Sequence, residues 1–296
     1  MVKQSAPHDI DWLDKSEYPF ELRTVEINSS KLHYVDEGRG PIILFIHGTP
    51  TWSFIYRNQI KALSKQFRCI AIDHLGFGLS DHPQNFSYTP QAHSEILDQF
   101  IETLKLKAIN LVVHDFGGPI GLASAIKQPE NFNSITIMNS WLWSFDDDPE
   151  VMKISKMLSG RFGRFLYTRM NFSAKFLMPK GFSDKKRLTK QLHKQYLKPF
   201  NSARKRLSCW VFARELHLSS AWFADLENNA YKLSDIKISM IWGMNDELIK
   251  IHQLKKWREL TRTFTNINYQ ELDNVGHFAQ EEAPQKVIEC IRRTAF

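Results

Sequence analysis

The stretch that most constrains this chain is the segment 109–122, INLVVHDFGGPIGL. Apolar β-forming residues lead into Asp115, and small residues then open a segment with helical periodicity, which predicts a buried strand, a sharp turn and a helix. A side chain at Gly117 or Gly118 would collide with a neighbouring strand or helix. The residue at the tip of such a turn is pushed outward, beside backbone N–H groups of the helix N-terminus. Asp115 is therefore either a functional carboxylate or a helix N-cap.

Strand and helix patterns alternate along most of the chain. Residues 22–37 predict two strands joined by a turn. A continuous apolar run predicts a buried strand at 42–46, and further strands are predicted at 67–72, 135–138, 238–243 and 267–272. Helical periodicity occurs at 56–64, 90–106 and 252–261 and after Pro284. Strands that alternate with helices predict a mostly parallel sheet covered by helices on both faces, an α/β fold.

The pattern changes between Trp141 and about Leu226, where the chain is helical, basic and rich in Phe and has no buried strand run. An insertion between two strands of one sheet predicts a lid over the C-terminal strand edge, where open α/β sheets bind ligands. We therefore expect a first core part at residues 1–140, a helical cap at 141–226 and a second core part at 227–296.

Charge is unevenly distributed. The chain has 39 Lys and Arg residues against 32 Asp and Glu residues, and between residues 161 and 206 fourteen basic residues stand against one acid, Asp184. This segment is consistent with steering of an anionic substrate or loose contact with an acidic surface. A solvated helical face is the interpretation that we favour. Aromatic residues do not alternate with the charges as in nucleic-acid-binding segments, so we expect no nucleic-acid partner.

Composition indicates an ordinary globular protein, with 43% apolar and 24% charged residues. No signal-peptide pattern and no apolar run of membrane-spanning length is present, so we expect a cytoplasmic protein without stable membrane association. Cys69, Cys209 and Cys290 lie far apart in the sequence and predict packing residues, not a disulfide or zinc site. The histidines show no convergent metal-ligand spacing. The sequence leaves the oligomeric state open.

Three reactive side chains follow three predicted strands. Asp115 follows the strand at 109–113, Asp246 follows the strand that ends in Trp242, and His277 comes just after the last strand. The order nucleophile, acid, histidine is that of a hydrolase triad in which the acid orients the histidine. The chain has no G-x-S-x-G or G-x-C-x-G motif. Asp115 is therefore the candidate nucleophile.

An Asp nucleophile implies an ester intermediate. A carboxylate is ionised near neutral pH and attacks an electrophilic carbon without a base. His277, held by Asp246, would then activate water to cleave the alkyl ester. The backbone N–H groups of Thr49 and Phe116 are the expected oxyanion hole. This chemistry predicts a small apolar electrophilic substrate, water as co-substrate, and no metal or organic cofactor.

Six segments of the chain resemble one enzyme family, the haloalkane dehalogenases of the α/β-hydrolase fold. They are HGTPTWSFIYRN (47–58), IDHLGFGLSDHP (72–83), LVVHDFGG (111–118), IMNSW (137–141), WGMNDEL (242–248) and GHFAQEEAP (276–284). The resemblance implies an eight-stranded, mostly parallel sheet flanked by helices, with an inserted helical cap. In the family the acid follows either of two strands. Asn139 occupies the earlier position, which leaves Asp246 as the acid.

The chain departs from the family at the halide site. Family members hold the leaving halide with a Trp after the nucleophile and with an Asn after His-Gly or a second Trp from the cap, whereas this chain has Phe116 and Thr49, and no Trp between residues 144 and 209. Phe has no N–H donor for a developing halide. The nearest donors in sequence are Trp141, Trp143 and the Thr49 hydroxyl.

Four further side chains are candidates for substrate contact. Trp52, Trp141 and Trp143 are candidates to line the pocket, with core packing as the alternative for each. Tyr196 lies where related epoxide hydrolases carry a cap tyrosine that donates to the epoxide oxygen, although similar dehalogenases carry a Tyr there too.

Four functions fit these features. A hydrolase of the haloalkane dehalogenase type is the leading hypothesis, favoured by PTWS and GHFAQEE. An epoxide hydrolase is the second, although the usual bulky pattern after His-Gly-x-Pro is missing. A β-lactone-cleaving enzyme, which also starts from an Asp nucleophile and releases carbon dioxide, is the third, because its members resemble DHLGFGLSD. A non-catalytic ligand-binding protein is the fourth, and the intact triad argues against it.

Overall fold

The computed structural model describes residues 10–296, and in this range eight strands form a single sheet. The strands are β1 (Arg23–Ile27), β2 (Ser30–Glu37), β3 (Ile42–Ile46), β4 (Arg68–Ile72), β5 (Ile109–His114), β6 (Phe132–Met138), β7 (Lys237–Gly243) and β8 (Ile267–Leu272). Their order in the sheet is β1-β2-β4-β3-β5-β6-β7-β8. The β1–β2 and β2–β4 pairs are antiparallel, and the other five pairs are parallel. The predicted mostly parallel, eight-stranded sheet is confirmed.

Helices connect the parallel strands. Those of the core are α1 (Arg57–Leu63), α2 (Pro90–Thr103), α3 (Gly117–Lys127), α10 (Ile251–Leu260), α11 (Ala279–Glu282) and α12 (Pro284–Ala295). Those between β6 and β7 are α4 (Pro149–Ser159), α5 (Arg161–Met170), α6 (Met178–Gly181), α7 (Lys190–Leu197), α8 (Leu207–Leu218) and α9 (Ser220–Asn229). A π-helical turn at Ser173–Leu177 joins α5 to α6. In the described range no helix is long and apolar enough to cross a membrane.

The core lies on both faces of the sheet. Successive residues of β3 alternate between two hydrophobic clusters, with Leu44 in one cluster and Phe45 in the other. This alternation follows from the two-residue period of a strand. Both faces are covered, which explains why β3 is a continuous apolar run in the sequence. Cys69, Cys209 and Cys290 are buried and unbonded to one another, as packing residues are.

Strand β6 begins three residues earlier than its apolar run predicts, at Phe132 rather than residue 135. Phe132 is followed by the polar residues Asn133 and Ser134. Polar residues interrupt the apolar run by which a buried strand is predicted. Ser134 is nevertheless buried, because its hydroxyl donates to Asn110 Oδ1 at 2.7 Å.

The segment between β6 and β7 contains helices and turns but no strand of the sheet. It contacts the core through specific hydrogen bonds. Trp52 Nε1 donates to the carbonyl oxygen of Gln195 at 3.1 Å, and the backbone N–H of His277 donates to Gly181 O at 2.7 Å. This helical segment therefore touches the last of the three predicted catalytic residues directly. Its bounds as a cap, 141–226, stay a prediction.

Candidate active site

Asp115 lies in the turn between β5 and α3, with a φ angle of +53°. The turn is tight, because a Cβ atom at Gly117 would collide with the carbonyl oxygen of Ile46 on β3. Helix α3 begins at Gly117 with Phe116 in the N-cap position and without a side-chain cap. The interpretation of Asp115 as an ordinary helix cap is therefore wrong. Its carboxylate points to the loop after β3 instead.

The two oxygens of the Asp115 carboxylate have different surroundings. Oδ1 accepts a hydrogen bond from the backbone N–H of Thr49 at 2.7 Å, and the backbone N–H of Phe116 also donates to the carboxylate. Gly48 has no room for a Cβ atom because the Asp115 side chain occupies that space. Oδ2 faces His277 Nε2 at 3.6 Å, a distance longer than a hydrogen bond. Oδ1 is thus held by the backbone N–H of Thr49, and Oδ2 faces the imidazole.

His277 is held from its other nitrogen. Its Nδ1 lies 2.7 Å from Asp246 Oδ2, and both side chains are buried. Asp246 Oδ1 accepts from the backbone N–H groups of Leu248 at 2.7 Å and Ile249 at 2.9 Å. The acid is therefore fixed by its own loop, and the acid in turn fixes the imidazole orientation. Asp115, His277 and Asp246, which the sequence analysis selected, lie together in the order that a triad requires.

The charges of this triad are strongly coupled. Burial alone would raise the pKa of Asp115, but the interaction with the His277 imidazole outweighs burial and holds that pKa below its ordinary value. Burial opposes a charged His277, yet the Asp246 carboxylate and then Asp115 raise the pKa of His277 to about 10. The resting triad is therefore an imidazolium between two carboxylates. Any loss of charge on Asp115 lowers the pKa of His277.

Asn139 supports the acid. Its Nδ2 donates to Asp246 Oδ2 at 2.8 Å, and its Oδ1 accepts from the backbone N–H of Gly243 at 2.9 Å. Its φ angle is +34°, in the left-handed region that Asn tolerates better than most residues. From the sequence, Asn139 was noted only because it occupies the earlier of the two positions at which the family carries the acid. The amide instead orients Asp246, and the pattern carried no signal of that contact.

The wall of the site beside Asp115 is aromatic. The Phe116 ring stacks on Phe212 at 4.4 Å and meets the edge of Trp141 at 4.8 Å between ring centroids. Within residues 10–296, Trp141 Nε1 and Thr49 Oγ1 are buried without a hydrogen-bond partner. Buried donors without a partner are rare in folded proteins. Both are therefore free to bind a ligand.

Two residues of this region escaped the sequence analysis as site residues. Tyr167 on α5 is buried, and its phenol has a raised pKa because of burial and then because of the nearby Cys209 and Asp115. Burial raises the pKa of the Cys209 thiol to about 12, and the Thr49 hydroxyl beside it opposes that shift. Each residue is a single buried position on a helix, so neither had a motif that would have marked it.

Three of the four proposed pocket residues hold structural hydrogen bonds. Trp143 Nε1 donates to Gln253 Oε1 at 2.8 Å. Trp52 Nε1 is bonded to the chain at Gln195, as described above. The Tyr196 hydroxyl donates to Glu281, which also binds the buried Arg57. Their polar atoms are thus occupied away from Asp115. Trp141 is the member of the group that packs against the Asp115 turn.

Known proteins share both the fold and much of the sequence. The family model for the alpha/beta hydrolase fold matches residues 41–284. The chain belongs to the α/β-hydrolase family. Within that family, haloalkane dehalogenase 2 of Mycobacterium tuberculosis strain H37Rv is 32% identical over 279 residues, which is 94% of this chain and 96% of the relative. The chain is thus a haloalkane dehalogenase-like hydrolase.

A second group of α/β hydrolases is nearly as similar. The cis-3-alkyl-4-alkyloxetan-2-one decarboxylase of Shewanella oneidensis is 30% identical over 283 residues, covering 93% of this chain and 88% of the relative. The crystal structure of a haloalkane dehalogenase from Agrobacterium tumefaciens C58 superposes with a TM-score of 0.82 at 24% identity, over 93% of this chain and 95% of that chain. This last similarity shows the shared fold.

Proposed function

We propose that the protein hydrolyses carbon–halogen bonds of small apolar substrates through an alkyl ester on Asp115. The observation that carries the proposal is the asymmetric Asp115 carboxylate, with Oδ1 held by Thr49 and Oδ2 facing His277 at 3.6 Å. The haloalkane dehalogenase relatives support the same reaction class. Water is the second substrate, and no metal or cofactor takes part.

In the first step, Asp115 Oδ2 attacks the carbon that bears the leaving group. A new carbon–oxygen bond forms, and the leaving group departs with the electron pair of its old bond. The low pKa of Asp115 keeps the carboxylate ionised, so the attack needs no base. The product is an alkyl ester whose carbonyl oxygen is Oδ1.

In the second step, water cleaves the ester. Alkylation removes the charge of Asp115, one of the two carboxylates that raise the pKa of His277, so the imidazolium gives up its proton to solvent more readily. The neutral imidazole then takes a proton from water, and the hydroxide attacks the Asp115 carbonyl carbon. The oxyanion forms at Oδ1, next to the N–H groups of Thr49 and Phe116. Collapse releases the alcohol and restores the carboxylate.

The leaving group requires its own donors. Phe116 offers only a ring at the position where the family carries an indole N–H. Trp141 Nε1 and Thr49 Oγ1 are among the buried polar atoms without a partner in the described chain, and both belong to residues beside the Asp115 turn. We assign the leaving-group site to this pair. An unsatisfied donor binds an anion more strongly than one that first has to give up another partner.

Cleavage of a β-lactone is the second candidate. The apolar surface that Phe116 and Phe212 form disfavours a halide, and the relative from Shewanella oneidensis has an oxetanone substrate in its name. Epoxide hydrolysis is less favoured, because the cap hydroxyl of Tyr196 is bonded to Glu281.

A substrate panel tests the proposal. Purified wild-type protein and the Asp115→Asn variant are given bromoalkanes, epoxides and β-lactones of matched chain length, and bromide, diol and carbon dioxide are measured. We expect bromide release from the wild type and none from the variant. Carbon dioxide release without bromide would establish the second candidate instead. No product from any class would contradict an Asp-nucleophile enzyme.

A further inference from the structure

The outer surface of helices α4 and α5 carries a cluster of large apolar side chains in contact with solvent. Ten large hydrophobic residues are exposed in the described chain, and six of them fall between residues 154 and 176. They are Ile154, Met157, Phe162, Phe165, Met170 and Phe176. Phe162 is 60% exposed and Phe165 is 54% exposed. Grouped exposure of this kind marks an interaction surface, whereas isolated exposed residues need no explanation.

The same surface is strongly basic, and the one acid of helices α4 and α5, Glu150 in the first turn of α4, pairs with Lys250. Residues 151–183 contain seven Lys and Arg residues and no Asp or Glu. Among the described residues, no carboxylate forms an ion pair with Lys153, Lys156, Arg161, Arg169 or Lys175. A groove of about 670 Å³ lies along α5, and its lining includes Arg161, Arg164, Arg169 and Arg204. The positive charges are thus available to an anionic partner.

We propose that the α4–α5 surface docks reversibly on anionic lipid membranes. Phenylalanine rings between arginines and lysines are the composition of helices that lie in the membrane interface, where rings enter the acyl boundary and cations bind lipid phosphates. The charge complementarity selects an anionic bilayer over an uncharged one. A solvated face, which the sequence alone favours, explains the charges but not the exposed rings between them.

The position of α5 gives the docking a consequence for the active site. The outward side of this helix presents Phe162 and Phe165, while its inward side presents Tyr167, whose phenol senses the charge of Asp115. One helix therefore separates the docking surface from the catalytic carboxylate. An apolar substrate dissolved in a bilayer would be concentrated next to the cap. This consequence rests on the proposed function, whereas membrane binding does not.

Vesicle flotation tests the proposal. Full-length protein is mixed with vesicles of phosphatidylcholine alone or of equimolar phosphatidylcholine and phosphatidylglycerol. We expect flotation with the anionic vesicles only, and weaker flotation at high salt because salt screens the cation–phosphate attraction. The double variant Phe162→Ser/Phe165→Ser should bind at least about tenfold more weakly, and Arg161→Gln/Arg169→Gln on the order of tenfold more weakly.

Matched control variants test whether vesicle binding depends on this surface or on exposed apolar and basic side chains in general. Tyr231→Ser/Ile251→Ser removes two exposed apolar side chains elsewhere, and Lys65→Gln/Lys107→Gln removes two exposed cations elsewhere. Both should float like the wild type, and circular dichroism should show all variants folded. Absence of flotation with anionic vesicles, or equal flotation of the Phe162→Ser/Phe165→Ser variant, would overturn the proposal. Self-association through this surface in sedimentation velocity, without vesicle binding, would overturn it in favour of a second copy.

Discussion

At the scale of single residues, the site depends on how each carboxylate is held. Asp115 has Oδ1 bound by the backbone N–H of Thr49 and Oδ2 facing His277, while Asp246 is held by Leu248, Ile249 and Asn139. The three members of the proposed triad could be selected from the sequence, because each follows a predicted strand. The contacts of Asn139, Tyr167 and Phe212 could not, because they join positions far apart in the chain.

The link between Asn139 and Asp246 predicts that the acid can be moved. Asp246→Asn should lower kcat by about 10³–10⁴, because the imidazole loses its oriented, charge-stabilised state. Adding Asn139→Asp places a carboxylate beside the lost one, since the two side chains lie 2.8 Å apart. The double variant should regain at least about tenfold in kcat, measured on the best substrate of the panel. Equal rates for the single and double variants would argue against this geometry.

We expect the side chain at position 116 to decide whether a halide is accepted as the leaving group. Phe116→Trp adds an indole N–H at the wall beside Asp115, so kcat/KM for a bromoalkane should rise about tenfold if a halide leaves there. Phe116→Leu is the control, because it changes the ring without adding a donor. Bromide release measured for both variants decides the matter. A rate for Phe116→Trp no higher than that for Phe116→Leu would point away from halides.

At the scale of elements, the strand–turn–helix unit of β5 and α3 positions Asp115, the proposed nucleophile. The turn could be predicted because it combines a buried strand with adjacent glycines. The early start of β6 could not, since its first residues include the polar Asn133 and Ser134. The helices between β6 and β7 could be predicted as helices. Their contacts with the core could not, because these contacts depend on isolated side chains such as Tyr196 and follow no periodic pattern.

The tightness of the turn predicts a large loss of stability for Gly117→Ala. The added Cβ would meet the carbonyl oxygen of Ile46, a backbone atom that cannot rotate away. We expect the free energy of unfolding to fall by about 2 kcal/mol or more in urea titrations. Gly160→Ala is the matched control, because nothing lies within 4 Å of its added Cβ. Its effect should stay below about 1 kcal/mol, and equal losses for both variants would refute the steric explanation.

At the scale of the whole molecule, two opposite tendencies meet in the triad. The fold buries three ionisable groups, which burial alone disfavours, and stabilises them by mutual attraction. Because the pKa of His277 is raised in the folded protein, this attraction contributes to the free energy of unfolding. The family and the sheet were predictable from the sequence, because six motifs span the core. The substrate was not, because the sequence offers Trp141, Trp143 and the Thr49 hydroxyl alike as donors, and only the structure shows that Trp143 Nε1 is bonded to Gln253.

Stability should therefore depend on pH through His277. Because its folded pKa is raised from 6.5 to about 10, its contribution is complete below pH 6.5 and is lost as the pH rises through about 10. The difference in unfolding free energy between wild type and His277→Gln should shrink by roughly 2–5 kcal/mol over this range in urea titrations. Titrating groups that do not interact with His277 cancel in the difference. A constant difference would contradict an imidazolium in the resting triad.

The most direct test of the Asp115 ester is intact-protein mass spectrometry of the His277→Phe variant. This variant keeps the nucleophile and loses the base, so the first step proceeds and the second stops. With a bromoalkane, we expect a mass increase of one alkyl group, located on the peptide that contains Asp115. The double variant Asp115→Asn/His277→Phe should show no increase. If His277→Phe gains no mass with any halide, epoxide or β-lactone that the wild type turns over, the covalent mechanism is wrong.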